Sequence, residues 1–344
     1  MLYQINAAKA GRRLRRNEKR REKMSVENMR SVMHIDPKRD VLYSIPDSDN
    51  HGDLLIRPQG NRMINELGDT IYIKDAFVPY HDHEKGYETF LIDGGSAEVC
   101  INKKKCIIKR GDIVHIRPYV NHGYRYLEEN TIWREMFQEM DMYNCVEDKH
   151  VIRTYSPEYW EDEEFKARRY KILGTLYRED PVPVPAKNTE IPAIRPRGTA
   201  LASFDLGIMK CNLKVGRWET EGAKEIWEFL PEKGTQIEWN YPYAANDVYL
   251  VMEGSVHVQA DGHDFVAKKR DIISVPPYYK HTFTVLEEGT QLYAYNVQSY
   301  LMHIMERIHA EKVRTPEHLE DWAYVEKILR DNNCWVTGFR KVTV

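Results

Sequence analysis

The stretch Pro79-Tyr80-His81-Asp82-His83-Glu84-Lys85-Gly86-Tyr87-Glu88, with Asn121-His122 further on, decides the fold. It gathers three imidazoles and a carboxylate within the 42 residues from His81 to His122. Residues two apart on an extended chain point to the same face, so His81 and His83 can aim at one point. Residues 70–80 read as one strand running into the histidines. Glu84-Lys85-Gly86 is a polar connection, and 87–92 is the next strand, with Glu88 near its start. Asp93-Gly94-Gly95 marks a hairpin turn. Residues 96–102 and 106–109 pair across Lys103-Lys104-Lys105, and Arg110-Gly111-Asp112 turns the chain again. Short strands with frequent turns predict an antiparallel sandwich or barrel. Imidazole nitrogen and carboxylate oxygen suit Fe, Mn, Ni, Zn or Cu. With no thiolate in the set, a Cys-rich structural zinc is excluded. Surface histidines at a strand end would explain a lone His-x-His. They do not explain Glu88 and His122 following in this order around two hairpins.

These residues carry a resemblance. His81-x-His83-x4-Glu88-x6-Gly95 resembles the first motif of the cupin superfamily, and Gly111-Asp112-Ile113-Val114-His115-Ile116-Arg117-Pro118-Tyr119-Val120-Asn121-His122 resembles the second. The second motif usually has Pro where Arg117 stands; here Pro118 follows one residue late, and the Gly-to-His spacing is unchanged. The resemblance implies a small β-barrel holding one divalent metal on His81, His83, Glu88 and His122. Iron(II) leads, and manganese, zinc or nickel remain open. Cupins include dioxygenases, isomerases, decarboxylases, hydrolases and non-catalytic proteins, so the motifs specify fold and metal more than reaction.

Outside this region, 344 residues predict two domains, and 42% hydrophobic residues with 7 Trp and 22 Tyr supply the cores. Net charge is −3, which gives no sign of nucleic acid. The charge is uneven. Residues 1–30 hold ten Lys or Arg against Glu18, Glu22 and Glu27, a local +7 that leaves −10 elsewhere. Residues 1–35 read as a basic helical arm, either a solvated helix or a clasp on a partner subunit. Five cysteines without a CxxC spacing read as reduced thiols of a cytoplasmic protein. Neither a secretory leader nor a membrane span is read in the chain.

The first barrel is assigned to 36–149, closing with a strand over 131–143. Residues 150–200 read as a connector. In it Ser156-Pro157-Glu158 starts a helix to about residue 170, and a Pro-rich extended segment follows. The second barrel spans 201–300. It repeats the first at a constant offset of 159: Glu88 to Asp247, Gly95 to Gly254, Gly111 to Arg270, His122 to His281. The chain therefore looks like a bicupin. In the second copy Asn240 and Pro242 stand where His81 and His83 do, so that barrel is expected to bind no metal. Residues 301–344 read as helices, with Leu301, Ile304, Met305 and Ile308 as one stripe and Thr315-Pro316-Glu317 starting another helix.

The fold class expected is mainly β: two cupin-type antiparallel barrels, an N-terminal helical arm and C-terminal helices. Tyr72, Phe90, Arg117, Tyr124 and Arg134 are candidates to line the tunnel and bind substrate. Arg117 is the first choice of cation for a carboxylate or phosphate, and His115 a candidate acid or base. The function expected is a non-haem iron dioxygenase on a small polar or aromatic acid. The alternatives are a redox-neutral isomerase, lyase or hydrolase using Mn, Zn or Ni, and a non-catalytic metabolite-binding protein. A small-molecule substrate and a homo-oligomer complete the reading.

Overall fold

The structure, a computed structural model, describes residues 33–41, 43–46, 50–56, 65–138, 142–172, 174–240, 247–276, 279–297, 301–331 and 336–344. Each half of the chain pairs a seven-stranded sheet with a smaller one. In the first half the larger sheet runs, edge to edge, through Ile194–Arg195, Ile113–Ile116, Tyr87–Gly94, Thr131–Gln138, Asn65–Tyr72, Asn50–Ile56 and Tyr43–Pro46. The smaller sheet runs through Thr175–Tyr177, Phe77–His83, His122–Tyr126, Ser96–Ile101, Lys104–Lys109 and Val184–Pro185. Period-two patterning makes these strands. In Ser96–Ile101 the residues Ala97, Val99 and Ile101 are buried, while Ser96, Glu98 and Cys100 are only partly so. Phe90 and Ile92 from one sheet meet Val99, Ile108 and Tyr124 from the other in one apolar cluster.

The 159-residue offset holds well beyond the motifs. Asn50–Ile56 recurs as Met209–Val215, Ser96–Ile101 as Ser255–Ala260, and Ile113–Ile116 as Ile272–Val275. Gly95 and Gly254 occupy the same turn with φ of +72° and +77°, and a Cβ there would run into Thr131 and Thr290 respectively. The helices repeat too: Met142–Tyr155 matches Leu301–Arg314, and Glu163–Ile172 matches Trp322–Asp331.

The two larger sheets pack back to back. Leu91, Ile113 and Met136 meet their counterparts Leu250, Ile272 and Tyr295 in a single buried cluster. Charge is built into this interface. Arg134, fully buried, donates to Asp69 from Nε (2.7 Å) and Nη2 (3.0 Å), and Arg270 donates from Nε to Asp93 at 2.8 Å. The halves also exchange edge strands. Met33–Ile35 pairs with Ile272–Val275 of the second half, while Ile194–Arg195 pairs with Ile113–Ile116 of the first. Each covers an edge that would otherwise offer unpaired backbone.

Several expected boundaries shift. Residues 70–80 are not one strand: Asp75, at φ +65°, separates Asn65–Tyr72 from Phe77–His83. The closing strand ends at Gln138, and residues 142–143 begin a helix instead. The connector helix breaks at Asp162, whose Oδ1 accepts from the backbone N–H of Glu164 (2.9 Å) and Phe165 (3.1 Å) and starts a new helix. The Pro-rich stretch is not a free linker, since Val184–Pro185 pairs in parallel with Lys104–Lys105. The arm lies outside the described residues up to 32, and Met33–Ile35, at its end, is a strand rather than helix. No helix among the described residues is long and apolar enough to cross a membrane.

Candidate metal centre

Register brings the four candidate ligands together from both sheets. His122 sits opposite His81 on neighbouring strands of the smaller sheet. Glu88 lies between Ile116 and Phe137 on the facing sheet. The ligand atoms of His81, His83, Glu88 and His122 all lie within 4.8 Å of one another. His83 Nε2 is 3.2 Å from Glu88 Oε1, His122 Nε2 is 2.9 Å from Glu88 Oε2, and the Nε2 atoms of His81 and His83 are 3.1 Å apart. All four side chains are buried.

Each ring is held by its other nitrogen. His81 Nδ1 and His122 Nδ1 bond the carbonyl oxygens of Pro79 and Val120, both at 2.7 Å, and His83 Nδ1 bonds Thr175 Oγ1 at 3.1 Å. These bonds leave the three Nε2 atoms facing inward, as the hydrogen bond on the other ring nitrogen does for metal-ligating histidines. Asp82, between the two histidines, turns outward to Arg178 Nε at 2.6 Å.

Electrostatics agree with this arrangement. Burial, with the neighbouring rings of His122 and His83, pushes His81 down to about 3, so it is neutral at pH 7. Burial alone would raise Glu88, but the imidazoles of His83 and His122 hold it well below the usual carboxylate range. Glu88 Oε2 and His122 Nε2 are buried and, despite their proximity, have no hydrogen-bond partner. Orphaned polar atoms of this kind are costly unless something else satisfies them, and a cation between them does so. The donor set of three imidazoles and one carboxylate therefore fits one divalent ion.

The group opens into a cavity of about 190 Å³. Its walls are largely aromatic: Tyr72, Phe90, Tyr124, Tyr126, Trp133 and Phe137. Glu135 is the second carboxylate on the wall, with Oε1 3.5 Å from Tyr72 Oη. Burial, helped by the charge of Glu88, pushes Glu135 up to about 8, so it carries a proton at neutral pH. The Tyr124 hydroxyl is buried without a hydrogen-bond partner. Helices Met142–Tyr155, Pro157–Glu161 and Glu163–Ile172 bring Met142, Val146, Lys149, Trp160, Arg169 and Tyr170 to the same cavity.

Residues 68–132 match the family model for a cupin domain. The 11S globulin from Wrightia tinctoria, described with an auxin binding site, superposes with a TM-score of 0.53 at 10% identity, over 79% of this chain and 85% of that one. By fold, this chain is a bicupin. Pumpkin seed globulin is also similar, at 9% identity over 75% of this chain and 84% of that one, with a TM-score of 0.49. An oxalate decarboxylase from Bacillus subtilis gives 12% identity over 78% and 76%, with a TM-score of 0.47. No curated protein sequence matches the chain.

Within the bicupin, Tyr72, Phe90 and Tyr124 line the cavity with three of the four candidate ligands, His81, His83 and Glu88. Arg117, His115 and Arg134 do not, and strand parity explains all three corrections. Val114 and Ile116 pack into the first barrel's apolar cluster, so His115 and Arg117 point the other way. His115 is buried toward the second half, with Nδ1 2.9 Å from Thr89 Oγ1 and Nε2 3.1 Å from the Glu219 carbonyl. Arg117 is exposed. Trp133 and Glu135 face the cavity, which turns Arg134 into the interface with Asp69. The same parity would have found Trp133, Glu135 and Phe137, which the sequence reading passed over. In the second half, His281 and Asp247 are buried, the side chain of Asn240 and all of Pro242 lie outside the described residues, and no second His/Glu cluster occurs among the described residues.

Proposed function

We propose that this bicupin is a metal-dependent enzyme acting on a small polar or aromatic acid, with a non-haem iron(II) dioxygenase as the leading reading. One observation carries it: four buried donors converge on one point, and two of them, Glu88 Oε2 and His122 Nε2, lack any hydrogen bond. A bound divalent ion would supply a Lewis acid with open positions for a chelating substrate. The chain's own residues do the rest. The carbonyls of Pro79 and Val120 and the Thr175 hydroxyl fix the rings. The aromatic wall keeps water away from the reacting atoms. The unpartnered Tyr124 hydroxyl offers a hydrogen bond to a ligand.

Glu135 favours a second reading, a redox-neutral isomerase, lyase or hydrolase using Mn, Zn or Ni. A carboxyl that keeps its proton at neutral pH on the cavity wall is suited to deliver that proton to a substrate. We take the protein to act in the cytoplasm as a homo-oligomer.

Metal analysis of protein purified without added metal or chelator separates the readings. The leading one expects close to one iron per chain, and oxygen uptake with a catechol, hydroxybenzoate or β-diketone. Turnover without oxygen uptake, with zinc, manganese or nickel bound, moves the assignment to the second. Protein that holds no metal, even after metal is added back, rejects both.

A further inference from the structure

Lys149 and Arg169 are the two Lys or Arg residues among the described lining of the cavity, and both stand on the helices over the barrel. Their counterparts 159 residues on are Ile308 and Ile328. Both isoleucines are buried in the core of the second barrel. Neighbouring positions of these helices do not switch in this way. Met142 and Val146 line the first cavity, and their counterparts Leu301 and Met305 are buried in the second core. The two copies thus keep apolar residues on this face and differ in charge at two positions on it.

A cation at the edge of an aromatic cavity is costly unless an anion meets it. Asp148 pairs with Arg169 through Nη2, but Arg169 Nε is buried and has no acceptor. An Nε–H in this state suits a carboxylate oxygen, which can accept it while Asp148 stays on Nη2. The carboxylates that line the cavity itself are Glu88, among the imidazoles, and Glu135, on the strand wall. A ligand in this cavity therefore meets metal donors on the strands, aromatic rings along the wall and cations on the helices.

We propose that Arg169, together with Lys149, holds an anionic tail of the ligand whose other end reaches the His81, His83, Glu88 and His122 group. The ligand class is then an acid with two separated anionic ends, one chelating and one remote. This rests on reading that group as a metal site. It gives the carboxylate-anchoring role to the helices, where the sequence had suggested Arg117.

Zinc-loaded full-length protein tests the idea without turnover of a redox kind. Calorimetric titration with pyruvate and with 2-oxoglutarate compares two acids with the same 2-oxo acid head, of which only the second has a distal carboxylate. Wild-type protein is expected to bind 2-oxoglutarate at least tenfold more tightly. Arg169→Gln should abolish that preference and Lys149→Gln should reduce it. Pyruvate affinity and zinc content should stay unchanged in both. Equal affinity for the two acids, no binding of 2-oxoglutarate, or a preference that survives Arg169→Gln overturns the proposal. If Arg169→Gln does not fold, the wild-type comparison and Lys149→Gln still decide it, and an undiminished preference in Lys149→Gln overturns the joint role. Wild-type protein that takes up no zinc overturns the metal reading as well, whereas zinc uptake without the preference overturns only this one.

Discussion

The two barrels share a backbone plan and differ in what fills them. Position by position, Tyr124 of the first becomes Phe283, Tyr126 becomes Val285 and Glu135 becomes Ala294. His122 survives as His281 and keeps its pose, with Nδ1 bonded to the carbonyl two residues back in both copies. What its Nε2 faces has changed. In the first barrel that atom lies 2.9 Å from Glu88, and in the second it lies 3.4 Å from the Tyr249 hydroxyl. The acids diverge accordingly. Glu88 is held ionised by two imidazoles, whereas burial alone pushes Asp247 up to about 7. The helices follow the same division. Trp322–Asp331 buries Val325 and Ile328 in its barrel, while its counterpart Glu163–Ile172 buries none and stands over the cavity. In the second barrel three of the four ligand positions carry other residues, and the polar positions around them have become apolar core.

That contrast can be broken directly. His83→Ala should take metal content from about one ion per chain to below about a tenth, since three remaining donors bind far less well. His281→Ala should leave metal content unchanged. A loss of half the metal on His281→Ala means that both barrels hold ions, and the contrast fails. Arg134→Ala leaves buried Asp69 between the halves with only the longer contact to Arg270 Nη2 at 3.5 Å, and should cost up to about 3–5 kcal/mol by denaturant unfolding. A loss within error would show that the halves do not depend on this pair.

Acid sharpens the comparison further. Burial depresses His281 to about 4, so the unfolded chain takes up a proton below its ordinary value near 6.5 while the folded one does not. Stability from this residue is therefore complete above pH 6.5 and falls as pH drops toward 4, by about 2 kcal/mol at pH 5. Thermal unfolding of His281→Gln should show a correspondingly weaker acid dependence than wild type. A parallel dependence would mean that His281 is not the titrating group. Tyr249→Phe removes only the hydroxyl near His281 and should cost about 0.5–1.5 kcal/mol, measured by the same unfolding. Deleting residues 1–23 should leave metal content alone, and a lower oligomer mass would mark the arm as a subunit clasp.

The ligand group was legible because its logic is local: His-x-His shares a strand face, and Glu88 and His122 follow at motif spacing. Tyr72, Phe90 and Tyr124 were legible for the same reason. Arg117, His115 and Arg134 were misplaced because proximity in sequence was allowed to stand for direction, when each alternates with a cavity or core residue. The repeat was read from the barrels and stopped there. Ser156-Pro157-Glu158 and Thr315-Pro316-Glu317 stand 159 residues apart, so the connector and tail helices could have been recognised as one unit in two copies. Lys149 and Arg169 would then have stood out against Ile308 and Ile328. The exchanged edge strands were beyond such reading. Three residues at Met33–Ile35 and two at Ile194–Arg195 carry too little pattern to name a partner more than 200 residues away in one case and about 80 in the other.

That exchange sets an order on synthesis. The strand Met33–Ile35 is made more than 230 residues before its pairing partner Ile272–Val275. The first barrel in turn keeps one sheet edge uncovered until Ile194–Arg195 has emerged. The first half is finished only by a strand that follows its barrel, and the second only by one that precedes the first, so the nascent chain carries exposed edges during synthesis. Chaperone occupancy during that interval should matter more for this chain than for two barrels joined end to end.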